Sequence, residues 1–274
     1  MRKRVHIALA LLLTVVVGVI VWQVWRPRGQ EPEYQGRGLR AWLRDAKWER
    51  NPERRVRAEG AIRHIGTNAI PTLLAMLREQ DSPLVSRLVP WWGRHIAGTP
   101  YLPSWIRFPP WYTHQAQLVA LEATHGFEIL GADAEQTVNS LMDVYEQDIS
   151  PASRMAASSA LCVLAAAAPD ALPSFLGWAA SSNQSVRVVA VCALSRARYR
   201  PGLVVPALSK SLSDADNVVR TFAAQGLESF GADARPASAE LVRALADTDP
   251  YVRRAAAQAL KAIDAEAAAK AGVK

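Results

Sequence analysis

The sequence predicts an all-α fold: a right-handed α-solenoid of stacked helix pairs, preceded by a single transmembrane helix. Three observations carry this reading. A period of about 33 residues runs along the chain, apolar residues recur at helical spacing with no convincing two-residue alternation, and an uncharged run opens the sequence. Self-similarity at a fixed period of this length marks a solenoid, in which each unit buries its apolar face only against its neighbours.

Arginine sets the register. Arg154, Arg187, Arg220 and Arg253 lie 33 residues apart. Three of them share the local text Val186-Arg187, Val219-Arg220 and Val252-Arg253, each followed by a small-plus-apolar pair: Ala193-Leu194, Gly226-Leu227 and Ala259-Leu260. Counting backwards, the register passes position 120 and Ser86 and reaches Arg55. Four of the seven units open on a polar residue and a proline: Asn51-Pro52, Ser82-Pro83, Ser150-Pro151 and Asp249-Pro250. A polar N-cap accepts a free backbone N–H, and proline at the first helical position loses no hydrogen bond. Asp216 takes the capping role in the sixth unit. Arg55, Arg154, Arg187, Arg220 and Arg253 are therefore expected as structural anchors, an Arg ladder against neighbouring acids or helix ends. The rival reading of the same column is an Arg-lined binding stripe.

Each unit reads as helix, turn, helix. In the sixth, helix A covers about Val218 to Phe230, Gly231 stops it, and helix B covers about Arg235 to Ala246. The first repeats the plan with Arg55 to Ile65, Gly66, and Ile70 to Leu77. Ala171-Leu172-Pro173 opens helix B of the fourth unit and Val205-Pro206 that of the fifth. No stretch predicts a sheet.

The lines of the form V-R-x-x-A-x-x-A-L and G-x-x-A-x-P-x-L resemble HEAT repeats, in particular the short HEAT-like class of the phycobilin lyases. The resemblance covers about residues 50–264 and implies a fold rather than a reaction. Tyr34 to Leu43, followed by Ala61 to Pro71, is similar to membrane-anchored HEAT-repeat proteins of Verrucomicrobia-like bacteria, a family that implies no activity.

Ahead of the repeats, Val5 to Trp25 carries no charged side chain when His6 is neutral. As a helix its 21 residues span about 30 Å, enough for a hydrocarbon core. Basic residues flank both ends and Trp22 and Trp25 suit the interface. Trp22-Gln23-Val24-Trp25 offers no small-residue cleavage site. Residues 1–28 thus read as an uncleaved anchor, inserted through residues 5–25 of a plasma or inner membrane. Three basic residues at the extreme N-terminus place that end in the cytoplasm and the repeats outside it. Residues 29–50 form a linker and an amphipathic helix, with Leu39, Trp42, Leu43 and Ala46 on one face. It caps the first repeat or lies on the membrane. The solenoid covers 51–264 and a tail 265–274. Residues 26–113 hold 15 Lys/Arg and 8 Asp/Glu, whereas 114–274 hold 14 and 17, so the basic half is the one beside the bilayer. Cys162 and Cys192 fall in different columns and read as small core residues.

The second unit breaks the pattern over 83–113. Helix A is expected to end at Pro90-Trp91-Trp92-Gly93, and a Pro- and aromatic-rich stretch replaces helix B. Trp91, Trp92, Tyr101, Trp105, Phe108, Trp111 and Tyr112 form either a loop packed on its own rings or a contact patch for a partner. Enzymatic signatures (HExxH, a P-loop, GxGxxG, CxxC) are missing. Glu122 and His125 make one Glu-x-x-His pair where helix-borne carboxylate metal sites use two. No catalytic residue, metal or cofactor is expected. The reading is a membrane-tethered scaffold for a protein partner, without nucleic acid. The alternative is a HEAT-like DNA-repair glycosylase, which basic residues interleaved with Trp between Arg87 and Trp111 would serve.

Overall fold

The computed structural model describes residues 31–80, 90–99, 101, 103–104 and 115–273. The anchor expected over 1–28, the Ser82-Pro83 pair, Trp105, Phe108, Trp111 and Tyr112 lie outside these residues. Among the described residues no single helix is long and apolar enough to cross a membrane.

The described chain opens on a small hairpin that the sequence does not announce. Glu33–Tyr34 (β1) pairs antiparallel with Arg37–Gly38 (β2). Gln35 and Gly36 turn between them with φ of 51° and 71°, the left-handed pair that two-residue hairpin loops use. Two-residue strands are too short to show alternation. Helix α1, Leu39–Trp48, buries Leu39, Trp42, Leu43 and Ala46.

Helix pairs follow: α2 (Pro52–Ile65) with α3 (Ile70–Leu77), α4 (Gln115–Leu130) with α5 (Val138–Glu146), and α6 (Pro151–Ala167) with α7 (Leu172–Trp178). Then come α8 (Gln184–Leu194) with α9 (Pro201–Ser211), α10 (Asn217–Phe230) with α11 (Ser238–Ala244), and α12 (Pro250–Ile263) with α13 (Ala265–Lys270). The first helix of each pair is its A helix and the second its B helix. Asn51, Ser150, Asp216 and Asp249 accept backbone N–H groups at the starts of α2, α6, α10 and α12, and Asn183 does the same for α8. Gly66, Gly131 and Gly231 follow α2, α4 and α10 with φ of 58°, 53° and 54°, a conformation glycine adopts without steric cost.

Two B helices differ from expectation. After Gly231 a 3₁₀ turn runs to Ala237, so α11 starts at Ser238 rather than Arg235 and ends at Ala244. Helix α9 begins at Pro201, with Pro206 inside it, not at Val205. Pro201 supplies the fixed φ suited to a first helical position, and the helix tolerates the one backbone bond that Pro206 removes. The C-terminal segment taken as a tail contributes α13, which lies on α12 and buries Ala268.

The larger correction concerns the second unit. Helix α4 packs on α1, α2 and α3 as each later A helix packs on the pair before it. A Cβ built on Gly126 of α4 would come within 2.6 Å of Leu73 Cδ2 and 2.9 Å of Leu43 Cδ2. The Ser153 hydroxyl donates to the Leu77 carbonyl, and Gln80 Nε2 to that of Ile149 at 3.3 Å. Six helix pairs therefore stack among the described residues, and the chain leaves the row after α3 and rejoins it at α4. A repeat unit must meet its neighbours on two sides, and here those sides already meet each other. Within the excursion, helical backbone continues past Gly93 as a π turn, Gly93–Ala97, instead of ending there.

One apolar core runs the length of the row, with Phe127 and Phe175 fully buried. Leu194, Leu227 and Leu260 occupy the same column and are all fully buried. Leu227→Ala should destabilise the fold by about 2–5 kcal/mol, the range for truncating a buried leucine; an unchanged urea midpoint would place Leu227 outside the seam. Gly60 and Gly126 separate close approach from helix propensity. Gly60→Ala meets open space and should stabilise by up to about 1 kcal/mol. Gly126→Ala should destabilise despite the same propensity gain, because Leu73 and Leu43 must move. Stabilisation by both would show that α4 does not sit on α1 and α3.

Candidate binding surface

The Arg column is four residues past each N-cap, on the first turn of each A helix. Arg187 clasps Asp214 with two hydrogen bonds, Nε to Oδ2 at 2.8 Å and Nη2 to Oδ1 at 2.9 Å. Its Nη1 donates to the carbonyls of Ser181 and Ser182, both at 3.1 Å. Arg220 repeats the pattern on Asp247, at 2.7 and 2.8 Å, with Nη1 on the carbonyls of Asp214 and Ala215. Each Arg thus ties the loop before its own helix to the loop that leads into the next unit. The same Asp groups then order those loops, since Asp214 Oδ1 accepts from the N–H of Asp216 and Asp247 Oδ1 from that of Asp249. Planar two-point pairing of this kind is what guanidinium provides and ammonium does not.

The other anchors differ. Arg253 donates to the carbonyls of Asp247 and Thr248 at 2.7 and 2.9 Å. Arg154 reaches Asp148 at 2.8 Å and lies over the Tyr145 ring at 5.5 Å. Arg55 is exposed and forms no ion pair among the described residues.

One position past the Arg column lies a feature that the sequence reading missed. Val56 is 64 % exposed, Leu121 39 % and Met155 60 %, with Val188 half-buried. They fall on the consecutive A helices α2, α4, α6 and α8 and form an apolar stripe. Thr221 and Arg254 continue the column in polar form. The signal was present in the residue after each anchor, but an exposed apolar residue cannot be told from a core residue until the helix faces are known.

The aromatic candidates are placed in part. Trp91 is 46 % exposed and stacks on His95 at 5.0 Å between centroids. Trp92 is half-buried with its centroid 6.4 Å from that of Trp91, and Tyr101 is 95 % exposed. The structure brings Trp91, Trp92 and His95 together on one helical segment.

Helix α1 joins the row through Glu122. This buried carboxylate accepts from Trp48 Nε1 at 3.2 Å and lies 3.8 Å from Arg44. Burial pushes its pKa up, against the pull of Arg44 and the Trp48 hydrogen bond. Beside α1 lies an open cavity of about 470 Å³ lined by Gln35, Arg37, Trp42, Asp45, Glu49, Arg54 and Arg57. Its charges largely answer one another, Arg37 with Asp45 at 2.8 Å and Arg54 with Glu49 at 3.9 Å. No group of three or more His, Cys, Asp or Glu suited to a metal occurs among the described residues. Cys162 and Cys192 are not separate core residues: their sulfurs meet at 3.5 Å across α6 and α8.

This geometry defines a class, an α-helical repeat row with internally tied loops and one open face. Residues 205–271 match the family model for HEAT repeats, and that segment carries HEAT-like repeats. No curated protein matches it. Two engineered proteins of solved structure are similar at 15 % identity. One alignment covers 85 % of this chain and 82 % of the other at a TM-score of 0.37, and the second covers 85 % and 97 % at 0.35.

The carboxylates predict opposite pH effects. For Asp247, hydrogen bonds from Arg220 outweigh burial and hold the pKa low. Its contribution is present above the ordinary carboxylate pKa of about 4 and is lost as pH falls through the lower folded value. Asp247→Asn should cost about 1–3 kcal/mol at neutral pH, with the difference from the parent shrinking in acid. Glu122 is raised, so its protonated form is favoured in the fold and stability is lost as pH rises through the window above about 4. Glu122→Gln should be neutral in acid and stabilising at pH 7. Urea midpoints across pH read both, and parallel behaviour of the two variants would refute the assignment.

Proposed function

We propose that this protein is a membrane-tethered scaffold whose HEAT-like row binds a protein partner and performs no catalysis. The observation that carries the reading is the apolar stripe of exposed Val56, Leu121 and Met155, continued by half-buried Val188, along consecutive A helices. Such a stripe fits an elongated protein segment presenting apolar side chains at matching intervals, a mode that needs neither cofactor nor reactive group. Exposed Trp91 and Tyr101 on the excursion, with Trp105, Phe108, Trp111 and Tyr112 further along it, provide a second aromatic contact. Support for the tether is the uncharged run from Val5 to Trp25 with basic residues at both ends. On the charge balance, residues 1–4 stay in the cytoplasm and the repeats lie outside it.

The DNA-directed alternative calls for guanidiniums free to meet phosphate, whereas those of Arg187 and Arg220 are committed to Asp214 and Asp247. Residues 114–274 also carry more acidic than basic residues.

Leu121→Lys with Met155→Lys should remove partner capture from detergent-solubilised membranes. It should change stability by no more than about 0.5 kcal/mol, as exposed positions do. Undiminished capture by the folded variant would reject the stripe as the binding surface. A periplasm-dependent reporter fused after Lys274 tests the orientation separately.

A further inference from the structure

The fold brings together the two cysteines of the chain. Cys162 on α6 and Cys192 on α8 are 30 residues apart in sequence, yet their sulfurs are 3.5 Å apart, with Cys162 as hydrogen-bond donor. Both are free thiols and both are half-buried rather than sealed in the core. Among the described residues no third His, Cys, Asp or Glu completes a metal group with them, which leaves the pair short of the four ligands of a structural zinc site. Two thiols in contact on separate, packed helices suit one chemistry above others, a reversible dithiol–disulfide couple.

We propose that Cys162 and Cys192 form a regulatory disulfide by exchange with an external disulfide, either oxidised glutathione or the disulfide of a thiol oxidase, and that this bond staples the α6–α8 seam. The bonded distance is about 2.05 Å, and rotation about the two Cα–Cβ bonds supplies the approach. Cys192 is the attacking thiol. The hydrogen bond from Cys162 holds its pKa at about 7, against burial and with help from Arg196. Cys162 is pushed upward by the same hydrogen bond and by burial. The Cys192 thiolate attacks one sulfur of the external disulfide, whose S–S bond breaks and releases a thiolate. Cys162 gives its proton to that thiolate and attacks Cys192 Sγ, breaking the mixed disulfide and releasing a second thiolate, which takes from solvent the proton that Cys192 gave up on ionising. The protein loses two electrons and two protons, and the external disulfide leaves as two thiols.

The position gives the bond a consequence. Met155, Ser159 and Cys162 follow one another at four- and three-residue steps on α6, and Val188 and Cys192 lie four residues apart on α8, so each cysteine shares a helix face with one member of the apolar stripe. Oxidation would fix the spacing of the two helices that present Met155 and Val188. The thiol chemistry itself does not depend on the stripe being a binding surface.

The test is a redox titration of the full-length protein in mixtures of reduced and oxidised glutathione, followed by alkylation and intact-mass measurement. The expected product is a monomer lighter by two hydrogens, with neither cysteine alkylated, a cross-linked peptide pair containing Cys162 and Cys192, and a melting temperature several degrees above the reduced form. Cys162→Ser keeps a hydroxyl donor beside Cys192 and should accumulate the glutathione mixed disulfide. Cys192→Ser should react about tenfold more slowly at neutral pH, as the less acidic thiol would. Persistence of both thiols in the wild-type chain at the most oxidising mixture, or formation of adducts and intermolecular dimers alone, would overturn the proposal. Those wild-type readouts stand even where a serine variant fails to fold.

Discussion

A helix pair of this length cannot bury its apolar face within itself, and every other feature of the row follows from that constraint. Each A helix must find the pair before it, which is why the buried columns repeat and why Leu194, Leu227 and Leu260 are all inaccessible to water. The requirement also governs what interrupts the row. Where α4 meets α3 directly, with Gly126 against Leu73, both sides of that seam are already occupied, and none is left for a further helix pair between them. The same constraint leaves one strip of each A helix without a neighbour. That strip is the face on which Val56, Leu121 and Met155 are exposed.

Polar chemistry then fixes how neighbours align. Packing alone permits sliding along a smooth apolar seam, whereas a two-point Arg–Asp pair has one geometry. Arg187 on Asp214 and Arg220 on Asp247 use the same atoms, and each Asp also shapes the loop from which the next N-cap is built. In the two units that carry the pair, register, loop conformation and the next helix start are therefore tied through one Asp side chain.

Much of this was legible because caps, stop glycines and apolar spacing are local signals. Asn51, Ser150, Asp216 and Asp249, with Gly66 and Gly231, announce themselves in the sequence. What was not legible depended on partners distant in sequence. The hairpin at Tyr34 and Arg37 has too few residues for a periodic signal. The start of α9 was hidden because Pro206, like Pro173, looks like a helix opener when Pro201 holds that place. Membership of the row could not be read from 81–114, since a count of periods does not reveal that α3 and α4 touch. The cysteine pair was missed for a geometric reason: stacked helices cross with a stagger, so Cys162, eight past its anchor, meets Cys192, five past its own. At the candidate surface, the Arg column and the aromatic residues were legible in the sequence, whereas the apolar stripe needed the helix faces.

The Arg–Asp pairs are unevenly distributed, and this has a mechanical consequence. Arg187 and Arg220 clamp the loops of the later units, while Arg154 reaches only the loop before it, position 120 is an alanine, and Arg55 forms no ion pair among the described residues. The row is therefore a spring of graded stiffness. Bending or twisting under load would concentrate in its N-terminal pairs, which are joined by apolar contact and single hydrogen bonds such as Ser153 to the Leu77 carbonyl and Gln80 to that of Ile149, without a two-point Arg–Asp clasp among the described residues. The pairs clasped by Arg187 and Arg220 would then turn together as one stiff block under the same load.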